Sequence, residues 1–105
     1  MWIFQNDSFL SIVAHRDKPG MLLVRARKAG DIEAVFPEAH SREGEGTDYQ
    51  FRADVPVEEV AEAMGERIRG IGYGNFKGSV KDRPRHDAYT GVWTVMGRWG
   101  DRQPS

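Results

Sequence analysis

The tripeptide Lys18-Pro19-Gly20 lies between two apolar, β-branched stretches and constrains the fold more than any other feature of the chain. Proline presets φ for the first corner of a turn, and glycine accepts the positive φ that the next corner can require. Residues 9–16 (FLSIVAHR) precede the turn and residues 21–27 (MLLVRAR) follow it. Both read as extended, so an antiparallel hairpin is expected. Residues 2–4 also read as extended, with Asn6-Asp7 as a turn or bulge after them.

Two segments alternate with a period of two. Leu22, Val24 and Ala26 alternate with Leu23, Arg25 and Arg27, and Tyr49, Phe51, Ala53 and Val55 alternate with Gln50, Arg52 and Asp54. Successive strand side chains point to opposite faces. The apolar sets should therefore face helices. Arg25, Arg27, Gln50, Arg52 and Asp54 should share the open face, with His15 or Arg16 beside them.

Helical signals fall between and after these strands. Gly30-Asp31 can open a short helix carrying Ile32, Val35 and Phe36 on one face, and Pro37 stops it. Residues 39–43 read as a weak edge strand and residues 44–47 as a polar turn. Pro56 suits the start of a helix in which Val57, Val60, Ala61, Met64 and Ile68 recur at helical spacing. Glu58 and Glu59 in its first turn, and Arg67 and Arg69 in its last, complement the helix dipole. Gly70 ends it. Residues 70–83 form a Gly/Lys-rich connector, and Pro84 opens a last helix over 84–97 with Ala88, Tyr89, Val92, Trp93, Val95 and Met96 as apolar positions. Gly91 inside that helix costs about 1 kcal/mol relative to alanine.

The expected order is ββαββα(α): an α+β fold with a four-stranded, mainly antiparallel sheet and helices packed on one face. A ferredoxin-like domain has this order when circularly permuted. One domain over residues 1–99 and a disordered tail over 100–105 are expected from the 105-residue length.

Composition narrows the function. There is no cysteine, so disulfides, thiolate metal sites and a cysteine nucleophile are excluded. No apolar run approaches the roughly 20 residues of a membrane span, and no basic-then-apolar leader is seen, so no membrane partner and a cytoplasmic setting are expected. The net charge of −1 hides a pattern: residues 1–30 carry +3, residues 31–66 carry −9 and residues 67–105 carry +5. Segregation of this kind can report on partners.

The motifs are modest. Three arginines on an open sheet face could hold phosphate or carboxylate through bidentate donors; the bland alternative is a solvated or covered face. His15-Arg16-Asp17 matches a kinase catalytic-loop tripeptide but has none of its companion motifs. A histidine at a strand end is more often a structural hydrogen-bonder. Residues 70–77 (GIGYGNFK) look like a phosphate loop, yet they follow a helix rather than a strand. His15, His40 and His86 have no metal-ligand spacing, so no metal and no cofactor are expected. Glu58, Glu59, Glu62 and Glu66 read as a solvated face. Tyr89, Trp93 and Met96 read as core, with an exposed dimer-forming patch as the alternative.

The segments MWIF, FLSIVAHRD, LLVRAR with GDIEAVFP, YQFRADVP, NFKGSV and AYTGVWTVM, spread over most of residues 1–97, resemble a group of short uncharacterised bacterial proteins. The resemblance implies a shared fold and carries no mechanism. It marks His15, Arg16, Asp17, Asn75, Phe76, Lys77, Tyr89 and Trp93 as residues that carry the pattern.

The leading functional expectation is a non-catalytic binding or regulatory domain, acting through protein contact or as a homodimer, with Asn75, Phe76, Lys77, Tyr89 and Trp93 as contact residues. A binding protein or enzyme for a small anionic ligand held by His15, Arg16, Asp17, Arg25, Arg27 and Arg52, with His15 available as a proton carrier, is the second. Nucleic-acid contact through the basic 77–85 stretch is the third, and the near-neutral charge weighs against it.

Overall fold

A computed structural model describes residues 1–44, 46 and 48–104. It contains two compact units, Met1–Gly72 and Tyr73–Ser105. The first holds a five-stranded antiparallel sheet, one strand more than the pattern predicts. Strand β1 (Trp2–Gln5) pairs with β2 (Ser8–Ala14), which pairs with β3 (Met21–Ala26) across the Pro-Gly turn. Gly20 in that turn has φ 79°, a region L side chains rarely adopt. Helix α1 (Asp31–Val35) follows, then the short β4 (Arg42–Glu43) and β5 (Phe51–Pro56). The sheet order is β1-β2-β3-β5-β4, with β5 inserted between β3 and the edge strand β4. The additional strand forms because Asn6-Asp7 makes a two-residue turn, so that Gln5 faces Ser8 and Phe4 faces Phe9.

One face of the sheet is the core. Leu10, Ile12, Val24, Ala26, Ala53 and Val55 pack there against Ile32, Phe36 and Val60. Ile32 and Phe36 come from α1 and its C-cap, and Val60 comes from helix α2 (Val57–Arg69). Each such large side chain removed from water contributes roughly 1.5–3 kcal/mol. The two helices therefore lie on the same face. On α2 the buried stripe differs from the expected one: Ala63 and Met64 pack beside Val60, while Val57, Ala61 and Ile68 are exposed. Arg67 explains part of the shift. Its guanidinium bonds the Asp7 carboxylate (2.7 Å) and the Ala34 carbonyl (2.6 Å), clamping the α2 C-terminus to the β1–β2 turn and to α1. Glu58, Glu59, Glu62 and Glu66 are all exposed.

Three expectations about boundaries need correction. The last strand begins at Phe51, so Tyr49 precedes it and stays outside the core cluster. The connector contains a helix, α3 (Phe76–Ser79), because Asn75 caps it: the Asn75 side-chain oxygen accepts the Gly78 N–H at 3.1 Å. Helix α4 runs over Arg83–Asp101, with Asp82 as N-cap and Pro84 in its first turn. Gly100 and Asp101, expected in the tail, continue this helix. The polar turn expected at 44–47 includes Glu45 and Thr47, which lie outside the described residues, as does Ser105. No helix among the described residues is long and apolar enough to cross a membrane.

Candidate functional site

The face of the sheet opposite the core carries a cross-strand row. Trp2 faces Ser11, Ser11 faces Arg25, Arg25 faces Arg52, and Arg52 faces Arg42. Two polar clusters grow from this face, and they do different things.

The first is centred on Asp54, whose side chain is 12% exposed. Lys18 Nζ donates to Oδ2 at 2.7 Å, and His15 and Arg42 reach Oδ1, each at 3.1 Å. The Lys18 ammonium, with Arg42 beside it, holds the Asp54 carboxyl down from 3.8 to about 2, against the opposing effect of burial. His15 is the residue beside the open face, and Arg16 is exposed in the turn. The geometry fixes the His15 tautomer. Its Nδ1 accepts the backbone N–H groups of Asp17 and Lys18, both at 3.1 Å, so the ring proton is on Nε2 and points to Asp54. Both ring nitrogens are thus engaged, Nδ1 within the turn and Nε2 with Asp54 on β5, the arrangement of a structural staple. Beside the cluster opens a cleft of about 400 Å³. Lys18, His40 and Arg42 line it together with Glu38, Asp54 and Glu59, so neither sign of charge dominates. Among the described residues no group of three or more His, Asp or Glu could hold a metal ion.

The second cluster surrounds Tyr49, which is buried. The guanidinium carbons of Arg25 and Arg27 each lie 4.6 Å from its ring centre, close enough for cation–π attraction. Arg25 donates to Ser11 Oγ (2.7 Å), while its Nε is buried with no hydrogen-bond partner among the described residues. Arg27 donates to the Asp48 carbonyl at 3.2 Å. Arg52 donates to the Tyr49 carbonyl (3.3 Å) and approaches the Asp48 carboxylate (3.6 Å). The Tyr49 backbone N–H holds the Asp48 carboxyl below its ordinary value; burial opposes this, and Arg25 and Arg27 add to it. Gly46 lies against Arg52, and a Cβ there would collide with the guanidinium. The alternation pattern places Tyr49 with the core; its ring instead serves the arginines. Trp2, Phe4 and Phe9 add an aromatic edge: Phe4 stacks on Phe9 at 4.5 Å and Trp2 meets Phe9 edge-on at 6.2 Å. Phe9 alone is the aromatic that the strand pattern offers on this face, because residues 2–4 gain a face only through pairing.

The second unit assembles the remaining candidates. Phe76 stacks on Tyr89 (5.7 Å, 14°), and Tyr73 tilts against Phe76. Lys77 Nζ sits 4.5 Å from the Trp93 ring centre. Phe76, Lys77, Tyr89 and Trp93 therefore meet where α3 lies along α4, and Asn75 caps α3. Tyr89 is buried, as a core reading requires, but Trp93 (63%) and Met96 (53%) are exposed. With Val92, Val95 and Trp99 they form an exposed apolar stripe. Of the cations in residues 77–85, Lys81 reaches the Gly78 carbonyl (3.5 Å), Arg83 the Asp87 carboxylate (3.4 Å) and Arg85 the Tyr89 hydroxyl (3.2 Å). Compared with protein-family models, with curated proteins and with solved structures, the chain finds no match.

Proposed function

We propose that this chain is a non-catalytic binding domain that works through protein–protein contact and pairs with a second copy through α4. The observation that carries this reading is the exposed stripe of Val92, Trp93, Val95, Met96 and Trp99. Contiguous exposed apolar side chains of this size mark interaction surfaces, whereas singly scattered ones do not. The engagement of both His15 nitrogens, Nδ1 in the turn and Nε2 by Asp54, supports a binding role over acid–base chemistry at that position. The architectural part of the reading is a circularly permuted ferredoxin-like domain with an added edge strand. It is supported by the order β2-β3-β5-β4, which the permuted arrangement requires. A cytoplasmic setting fits the lack of cysteine.

Light scattering over a dilution series tests the pairing. The mass should rise from 11.9 kDa toward twice that value with concentration. Val95→Asp should remain monomeric with an unchanged far-UV spectrum, because it places a charge in the middle of the stripe. A wild-type chain that stays at the monomer mass at every concentration overturns the reading.

A second reading has its own observation. The bonded donors of Arg25 and Arg27 go to neutral oxygens, and among the described residues the buried Arg25 Nε has no partner. A small anion could bridge the two guanidinium groups through their remaining N–H donors. A thermal-shift series with phosphate, nucleotides and dicarboxylates should show a stabilising ligand whose effect disappears in Arg25→Ala. If no anion raises the melting temperature, this second reading fails. Nucleic-acid contact through residues 77–85 has less support, since each cation there already has a contact within its own unit.

A further inference from the structure

Arg85, Ala88, Val92, Val95, Trp99 and Arg102 follow one another along α4 and its C-cap in alternating steps of three and four residues. That spacing lays them in one seam along the helix, the arrangement used by paired helices. Ala88, Val92, Val95 and Trp99 on this seam are all exposed. We propose that α4 packs antiparallel against α4 of a second copy along this seam, in a register set by Ala88 and Trp99. The proposal rests on the reading of α4 as a self-pairing face.

Size complementarity decides the direction. In an antiparallel pair the seam residues meet in mixed layers: Val92 faces the partner's Val95, and Ala88 faces the partner's Trp99. The smallest seam side chain then receives the largest, and the layers fill evenly. A parallel pair would set Trp99 against the partner's Trp99 and leave a gap between the two Ala88 side chains. Charge points the same way. Asp87 and Arg98 lie on the same flank of the seam, and the antiparallel register brings Asp87 near the partner's Arg98, twice over by symmetry. The Asp87 side chain is 62% exposed and reachable. The parallel arrangement would instead set the two copies of this flank on opposite sides of the pair, so that Asp87 gains no such partner. The end layers hold arginine in either direction and do not discriminate. Antiparallel helix dipoles add a small preference.

The area sets the expected strength. A 19-residue helix is about 28 Å long and about 10 Å across. One such face offers roughly 300 Å² per copy, well under the about 800 Å² of a standard interface. Pairing should therefore be reversible on dilution in the micromolar range.

Disulfide trapping in this cysteine-free chain tests the register. Arg85→Cys and Arg102→Cys keep every apolar seam residue. In the antiparallel register residue 85 faces residue 102 of the partner, while two copies of residue 85 lie about 25 Å apart along the axis. A disulfide needs Cα atoms within about 7 Å. Under mild oxidation an equimolar mixture should give the cross-linked heterodimer, and each variant alone should give at least tenfold less. Ala88→Cys with Trp99→Cys is the second pair, for use if Arg85→Cys loses the wild-type circular dichroism spectrum. Efficient cross-linking of each variant with itself indicates a parallel pair and overturns the register. No cross-linking in any mixture, with light scattering still reporting a dimer, places pairing on another surface and overturns it too. A monomer at every concentration removes the self-pairing reading itself.

Discussion

Leu10→Ala should destabilise the sheet unit by about 3 kcal/mol, within the 2–5 kcal/mol range of buried Leu-to-Ala changes. Leu10 is 0% exposed and belongs to the core formed by the sheet, Ile32 and Val60. Its neighbours are held by two helices on one side and by paired strands on the other, so the space left behind cannot readily collapse. For a unit of this size that loss lowers Tm by on the order of 15 °C. It is a large fraction of the total stability of a small domain. Urea unfolding followed by far-UV circular dichroism measures it. A cost below about 1 kcal/mol would mean that Leu10 does not sit in a close-packed core.

Asp54→Ala should cost about 1–2 kcal/mol near neutral pH, and the cost should fall as pH falls. Asp54 accepts from Lys18, His15 and Arg42, and so ties the β2–β3 turn and the edge strand β4 to β5. Hydrogen bonds to a charged acceptor are the stronger kind, but Lys18 and Arg42 are well exposed, and water reduces the benefit. Because the folded carboxyl titrates at about 2 rather than 3.8, its contribution is fully present above about pH 4. It is lost as pH falls through the range from 3.8 towards 2, because there the unfolded chain's carboxyl takes up its proton while the native one does so only near 2. The stability difference between wild type and Asp54→Ala should accordingly shrink between pH 5 and pH 2. A difference that is constant over this range would show that the carboxylate charge is not what holds the turn.

The arginine face shows how far sequence reasoning reaches. Arg25, Arg52 and Asp54 share one face as the alternation requires, because strand side chains alternate and nothing interrupts β3 or β5. Pairing inside that face was not legible. Asp54 takes its partners from the turn at 15–18 and from β4, at separations of 12 to 39 residues, and no local period records such distances. Tyr49 departs from the alternation for a related reason. It continues the alternation by letter, but the ladder begins at Phe51, and cation–π contact with two arginines draws its ring away from the core. Asn75 stands before the apolar Phe76 as a helix cap does, but the glycines around it leave the segment without a helical period. Asn75, Phe76, Lys77, Tyr89 and Trp93 were singled out by their sequence pattern; the meeting of the last four along α4 depends on the turn made by α3.

The opening hairpin, the two-faced β3 and β5, and the helix after Pro56 follow from sequence alone. Each rests on interactions between residues close in the chain: a Pro-Gly turn, a period of two, and a helix start with acidic residues at its dipole's positive end. Tertiary structure decided which apolar residues are hidden. Val60 and Ile68 have the same hydrophobic character on one helix, yet Val60 is buried and Ile68 is 67% exposed. Tyr89 and Trp93 differ likewise on α4, because Phe76 stacks on Tyr89 while Trp93 stays open. Burial depends on what another segment brings to a side chain, and a residue's own hydrophobicity states only the gain available if such a partner arrives.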